Sequence, residues 1–143
     1  MEKLRTLTNL HVSYSRLGFW FCLIAIVVLS LLPGKIAIGL HFWDKLNHVL
    51  AYFVLASLVS YGYTTVSGSE GTKRRILVWQ FLALSLLGGL LELGQAVLPG
   101  RVVSGGDILA NCIGLFFGLQ FGGWLVPKLI GKGTRIKPRD HKS

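Results

Sequence analysis

Four apolar runs, at residues 17–32, 46–63, 76–98 and 108–126, constrain this chain more than any other feature of its sequence. Each is close to the ~17–25 residues that a helix needs to cross a hydrocarbon core about 30 Å thick. They occupy about half of the 143 residues, which leaves no room for a separate soluble domain. The expectation is one all-α membrane protein, a bundle of four transmembrane helices. Residues 1–16 read as a basic N-terminal leader, 17–127 as the four-helix membrane domain and 128–143 as a basic, unstructured tail.

A net charge of +9 would suit a nucleic-acid partner, but its distribution argues otherwise. Lys3, Arg5 and Arg16 precede the first run, and Lys73, Arg74 and Arg75 lie between the second and third. Lys128, Lys132, Arg135, Lys137, Arg139 and Lys142 follow the fourth, so 12 of the 15 basic residues fall on one side of the membrane. Lys35, Lys45 and Arg101 fall on the other. By the positive-inside rule both termini and the middle loop are cytoplasmic. Trp20, Trp79 and Trp124 at inner ends and Trp43 at an outer entry agree with interfacial anchoring. The partners expected are membrane lipids, with the Lys73–Arg75 cluster and the tail on anionic headgroups, and no nucleic acid. Sixteen residues make a long leader for a secretory signal, so the first span reads as a retained anchor. Cys22 and Cys112 lie at opposite depths, separated by more than the ~7 Å that bounds a disulfide, and are expected as free thiols.

Polar side chains inside apolar runs are the candidates for function, the ionisable ones above all, because an ionisable group costs about 2.5 kcal/mol or more at membrane depth. Asp44, His48 and Tyr52 are spaced i, i+4, i+8 and share a helix face, with Lys45 beside them. Glu92 and Gln95 share a face near the outer end of the third run. Arg101 follows a Pro-Gly turn, and Ser104 to Asp107 resembles a Ser-x-x-acid helix start, with Asn111 one turn deeper. All ten gather in the outer third of the bundle. Plain structural roles compete: Asp44 and Asp107 as helix caps, Tyr52 as an ordinary aromatic, Glu92 in a buried pair. Glu92 is expected within hydrogen-bonding reach of His48 or Tyr52. Gly114, Gly118 and Gly122 form a small-residue stripe for close helix packing, and Gly88-Gly89 admits a neighbouring helix. Leu32-Pro33-Gly34-Lys35 ahead of Asp44 echoes Leu98-Pro99-Gly100-Arg101 ahead of Asp107, as two parallel helical hairpin repeats would.

At Asp44-Lys45-x-x-His48-x-x-x-Tyr52, and from Glu92 through Gln95, Pro99-Gly100-Arg101, Ser104, Asp107 and Asn111 to Gly114, the chain resembles the VanZ-like family of small bacterial membrane proteins. The resemblance covers roughly residues 20–125. It implies a multi-pass protein of the bacterial cytoplasmic membrane, tied to the cell envelope and to susceptibility to the glycopeptide antibiotic teicoplanin. Two functions then compete. In one, the polar cluster binds an envelope lipid, a lipid-linked cell-wall precursor or a glycopeptide antibiotic, with Asp44, Lys45, Tyr52, Gln95, Arg101, Ser104 and Asn111 holding it. In the other, it is the active site of a hydrolase or transferase, with Glu92, His48 and Asp107 as acid-base groups. No zinc-type His or Cys pair is present. No cofactor is expected, the one opening being a divalent cation at Asp44, Glu92 and Asp107. The oligomeric state is open.

Overall fold

The computed structural model describes residues 2–32, 41–65, 69–98 and 104–133, with side chains from 9–32, 45–65, 69–98 and 104–129. Every element among them is helical. They are α1 (Glu2–Ser30), α2 (His41–Thr64), α3 (Glu70–Gln95), α4 (Gly105–Gln120), a π-helical turn (Phe121–Leu125) and α5 (Val126–Gly133). Four stretches, Asn9–Ser30, Lys45–Thr64, Glu70–Gln95 and Gly105–Leu129, are long and apolar enough to cross a membrane. The four spans predicted from the sequence are therefore present.

Two helices form the centre and two the flanks. About 39% of the residues in the spans of α2 and α4 are buried, against 22% for α1 and 17% for α3. The buried face of α2 carries Tyr52, Leu55, Ala56, Val59 and Ser60, the i, i+3, i+4, i+7 spacing of one helix stripe. Leu115 and Leu119 of α4, Phe19 and Ile26 of α1 and Leu84 of α3 close the core around it. The outward faces are just as apolar. Leu17, Phe21, Ile24 and Val28 on α1, and Leu82, Leu86, Leu90 and Leu93 on α3, are exposed. Such continuous apolar faces suit lipid and not water.

The α2–α4 seam follows from the glycine stripe. A Cβ on Gly114, Gly118 or Gly122 would run into the carbonyl oxygen of Val49, Phe53 or Ser57 respectively. Both series advance by four residues, so the helices run parallel with their backbones in contact, and only glycine permits that approach. Backbone contact of this kind brings Cα–H groups against carbonyl oxygens. α1 runs antiparallel to α2. Ser15 Oγ donates to Leu58 O (2.7 Å) and Arg16 Nε to Gly62 O (2.9 Å), with the guanidinium 4.7 Å above the Tyr63 ring. Residues 2–16 of the basic leader are helical and continuous with the first span in α1. α3 is antiparallel as well, with Gln80 Nε2 donating to Val59 O (3.3 Å) and Gly88 facing Tyr52.

Two departures from the sequence reading have local causes. The fourth run is not one regular helix: its ladder widens at Phe121–Leu125, where the Val126 N–H reaches Phe121 O, five residues back. Pro127 lacks an N–H, and its ring would strike the carbonyl of Gly123 in a regular α-helix; a wider turn relieves both. Ser60 Oγ donates to Leu119 O (2.9 Å) beside this irregularity and supports it from α2. The helix then continues. Lys128–Gly133, expected to begin the unstructured tail, belong to α5, and the Lys128 ammonium sits 3.5 Å over the Trp124 ring. Residues 134–143 lie outside the described residues. Cys22 and Cys112 are free thiols, as their depths required.

Candidate functional site

α4 opens with Ser104 in extended conformation, its Oγ accepting from the Gly106 N–H at 3.2 Å. In a capping box the acid three residues on would return the bond by accepting the N–H of the capping serine. Here it does not. Asp107 faces Lys45 across the seam, with Lys45 Nζ 3.2 Å from Asp107 Oδ1 and 3.3 Å from Ser104 Oγ. The N–H of Ser104 donates instead to Glu92 Oε1 of α3, at 2.9 Å. A carboxylate from a neighbouring helix thus completes the cap, where the partial positive charge of the α4 N-terminus favours it. Ser104→Ala removes the Gly106 cap while leaving the Glu92 bond. It is expected to lower stability by about 1 kcal/mol, read as a fall in the detergent unfolding midpoint.

This geometry corrects one expectation. The hydrogen bond that Glu92 makes among the described residues goes to Ser104, not to His48 or Tyr52. His48 Nδ1 donates to Asn111 Oδ1 at 3.0 Å. The reason is register. The parallel α2–α4 packing sets His48 opposite Asn111, while the N–H of Ser104 at the start of α4, which no intrahelical carbonyl can accept, meets Glu92.

Glu92, Gln95, Tyr52, Asp107 and Asn111 are all buried, and Glu92 is only 1% exposed. Glu92 Oε2 has no hydrogen-bond partner among the described residues. Its surroundings explain how that is possible. A cavity of about 270 Å³ is lined by Glu92, Gln95, Gly88 and Leu91 of α3, by Asn47, His48, Ala51 and Tyr52 of α2, by Asn111 of α4, and by Ile26, Leu29 and Ser30 of α1. A Cβ on Gly88 would stand 3.0 Å from the Tyr52 hydroxyl and 3.2 Å from Asn111 Nδ2, so glycine keeps this wall open.

Of the predicted site residues, Glu92, His48, Tyr52, Gln95 and Asn111 line one cavity. Lys45, Ser104 and Asp107 form a hydrogen-bonded group joined to it through the Ser104–Glu92 bond. The side chain of Asp44 and the whole of Arg101 lie outside the described residues. Sequence reasoning missed Asn47 and Ser30 and read Gly88 only as a packing residue. Asn47 sits one position off the i, i+4 face, yet it also lines the cavity beside His48. Ser30 was visible as the last polar group of its run.

The arrangement limits the chemistry. Lys45 donates both to Asp107 and to Ser104 Oγ, so its nitrogen turns no lone pair toward that hydroxyl and does not activate it as a nucleophile. Among the described residues, no three His, Cys, Asp or Glu side chains come together as a metal site. What the cavity offers is the Glu92 carboxylate, the amides of Asn47, Gln95 and Asn111, the Tyr52 and Ser30 hydroxyls, the His48 ring and aliphatic walls. Comparison of the chain with protein-family models, with curated proteins and with solved structures gives no match.

Proposed function

We propose that this chain is a VanZ-like protein of the bacterial cytoplasmic membrane whose cavity binds the polar part of an envelope lipid or lipid-linked cell-wall precursor. The observation that carries this reading is a cavity walled by hydrogen-bonding and aliphatic groups and lined by Glu92, whose buried Oε2 has no hydrogen-bond partner among the described residues. A buried acceptor without a donor costs about 1–3 kcal/mol, which a ligand supplying the donor recovers. Size bears on the ligand: about 270 Å³ is at the small end for ligand pockets and suits a headgroup. A glycopeptide antibiotic would be held only by one small substituent, so an effect on teicoplanin susceptibility would run through the lipid or precursor. Both termini cytoplasmic, with two related hairpins, is the topology that goes with this reading. Support for it comes from Arg16 and Arg75 flanking Tyr63 at the end of the bundle opposite the cavity.

Glu92 and His48 lining one cavity favours a second reading, a membrane-embedded hydrolase or transferase that uses them as acid and base. A lipid and precursor profile of cells with and without the protein separates the two. Binding alone is expected to leave the species unchanged in kind, and an enzyme to leave a substrate accumulating in cells that lack it. Identical profiles, together with unaltered teicoplanin susceptibility and no lipid retained by the purified protein, would sink both.

A further inference from the structure

Among the described residues, Glu92 is the one carboxylate that lines the cavity, and no Lys or Arg lines it. The ammonium of Lys45 is engaged by Asp107 and Ser104 outside the cavity. Oε1 is satisfied by the Ser104 N–H, and Oε2 is buried with no hydrogen-bond partner among the described residues. A buried carboxylate is stabilised best by a group that donates a hydrogen bond and offsets its charge at once, and an ammonium does both. A neutral hydroxyl does only the first. A quaternary ammonium does only the second, and it is normally recognised by an aromatic cage, whereas among the described residues Tyr52 is the one Phe, Tyr or Trp that lines this cavity.

The way in is equally defined. Ile26, Leu29 and Ser30 of α1 and Leu91 of α3 form one side of the cavity, between two flanking helices that pack little against each other. Their outer faces are apolar and exposed. A ligand arriving there comes sideways out of the bilayer, with its chains remaining against α1 and α3.

Resting on the binding reading above, we infer that the cavity takes the primary ammonium headgroup of an aminophospholipid. The nitrogen donates to Glu92 Oε2, while the Tyr52 hydroxyl and Asn111 Nδ2 face the oxygen atoms of the same headgroup.

Native mass spectrometry of the intact protein, loaded with equimolar phosphatidylethanolamine, phosphatidylcholine and phosphatidylglycerol of identical acyl chains, tests this directly. Phosphatidylethanolamine is expected to be retained at least about tenfold over the other two. Glu92→Gln is expected to erase that preference with the unfolding midpoint nearly unchanged. Gly88→Ala, which narrows the same wall from α3, guards against Glu92→Gln failing to fold and is expected to reduce retention likewise. Equal retention of the ethanolamine and choline lipids, or a preference that survives both variants, overturns the inference. If the variants instead alter retention of phosphatidylglycerol, the ammonium assignment falls and the binding reading stands. If they alter no lipid, both fall.

Discussion

Gly118→Leu is expected to abolish the folded bundle, and Gly118→Ala to destabilise it by about 3 kcal/mol, the upper end of what overpacking a tight interior costs. A Cβ there meets the Phe53 carbonyl oxygen, the Phe53 carbonyl carbon at 3.0 Å and Ala56 Cβ at 2.8 Å. Two of these atoms are backbone, so no side-chain rotation relieves the contact; α2 and α4 must separate. Separation would also pull His48 from Asn111 and Lys45 from Asp107, because both pairs span this seam. Gly89→Ala is the control. Nothing lies within 4 Å of its Cβ, and replacing a mid-helix glycine by alanine gains up to about 1 kcal/mol in helix propensity. Equilibrium unfolding in mixed detergent micelles reads all three. A Gly118→Ala protein as stable as the parent would mean that the central helices are not in backbone contact.

Substitution of Glu92 is expected to have the largest effect on ligand binding and a modest one on folding. Glu92→Gln retains an oxygen for the Ser104 N–H but presents an amide N–H₂ where Oε2 stood. A ligand that donates to Oε2 then meets donor against donor. The loss of a charge-assisted hydrogen bond, about 1.5–3 kcal/mol, corresponds to roughly a 10- to 100-fold fall in affinity. Glu92→Leu also orphans the Ser104 N–H and should destabilise the protein by about 1–3 kcal/mol more than the glutamine variant. A lipid-binding isotherm and an unfolding curve on each variant distinguish the roles. If Glu92→Gln unfolds as readily as Glu92→Leu and its residual folded fraction binds normally, Glu92 is a structural group alone.

The polar cluster was legible in the sequence because ionisable residues stand out in apolar runs. Glu92, Gln95, His48, Tyr52 and Asn111 are polar side chains in such runs, and they line one cavity. Their partners were not legible. Similar depth suggested Glu92 beside His48 or Tyr52, yet Glu92 holds the N–H of Ser104, a backbone group that carries no sequence signal of its own. The Ser104-x-x-Asp107 pattern suggested a cap closed within α4, yet a third helix closes it and frees Asp107 for Lys45. The π-helical turn was foreseeable from Pro127 after Gly122-Gly123, a proline rule that hydrophobicity alone does not express.

The amino-acid sequence by itself determined the four apolar spans, the free thiols and the gathering of Glu92 and Asp107 toward one end of the bundle. Hydrophobicity, charge and periodicity are properties of short stretches and need no neighbour to be defined. Only the tertiary structure decided which polar groups meet. Lys45 with Ser104 and Asp107, and His48 with Asn111, join residues 59, 62 and 63 positions apart. Their pairing depends on the register at which two backbones lock along the glycine stripe, and on a third helix that brings one carboxylate to the start of the fourth.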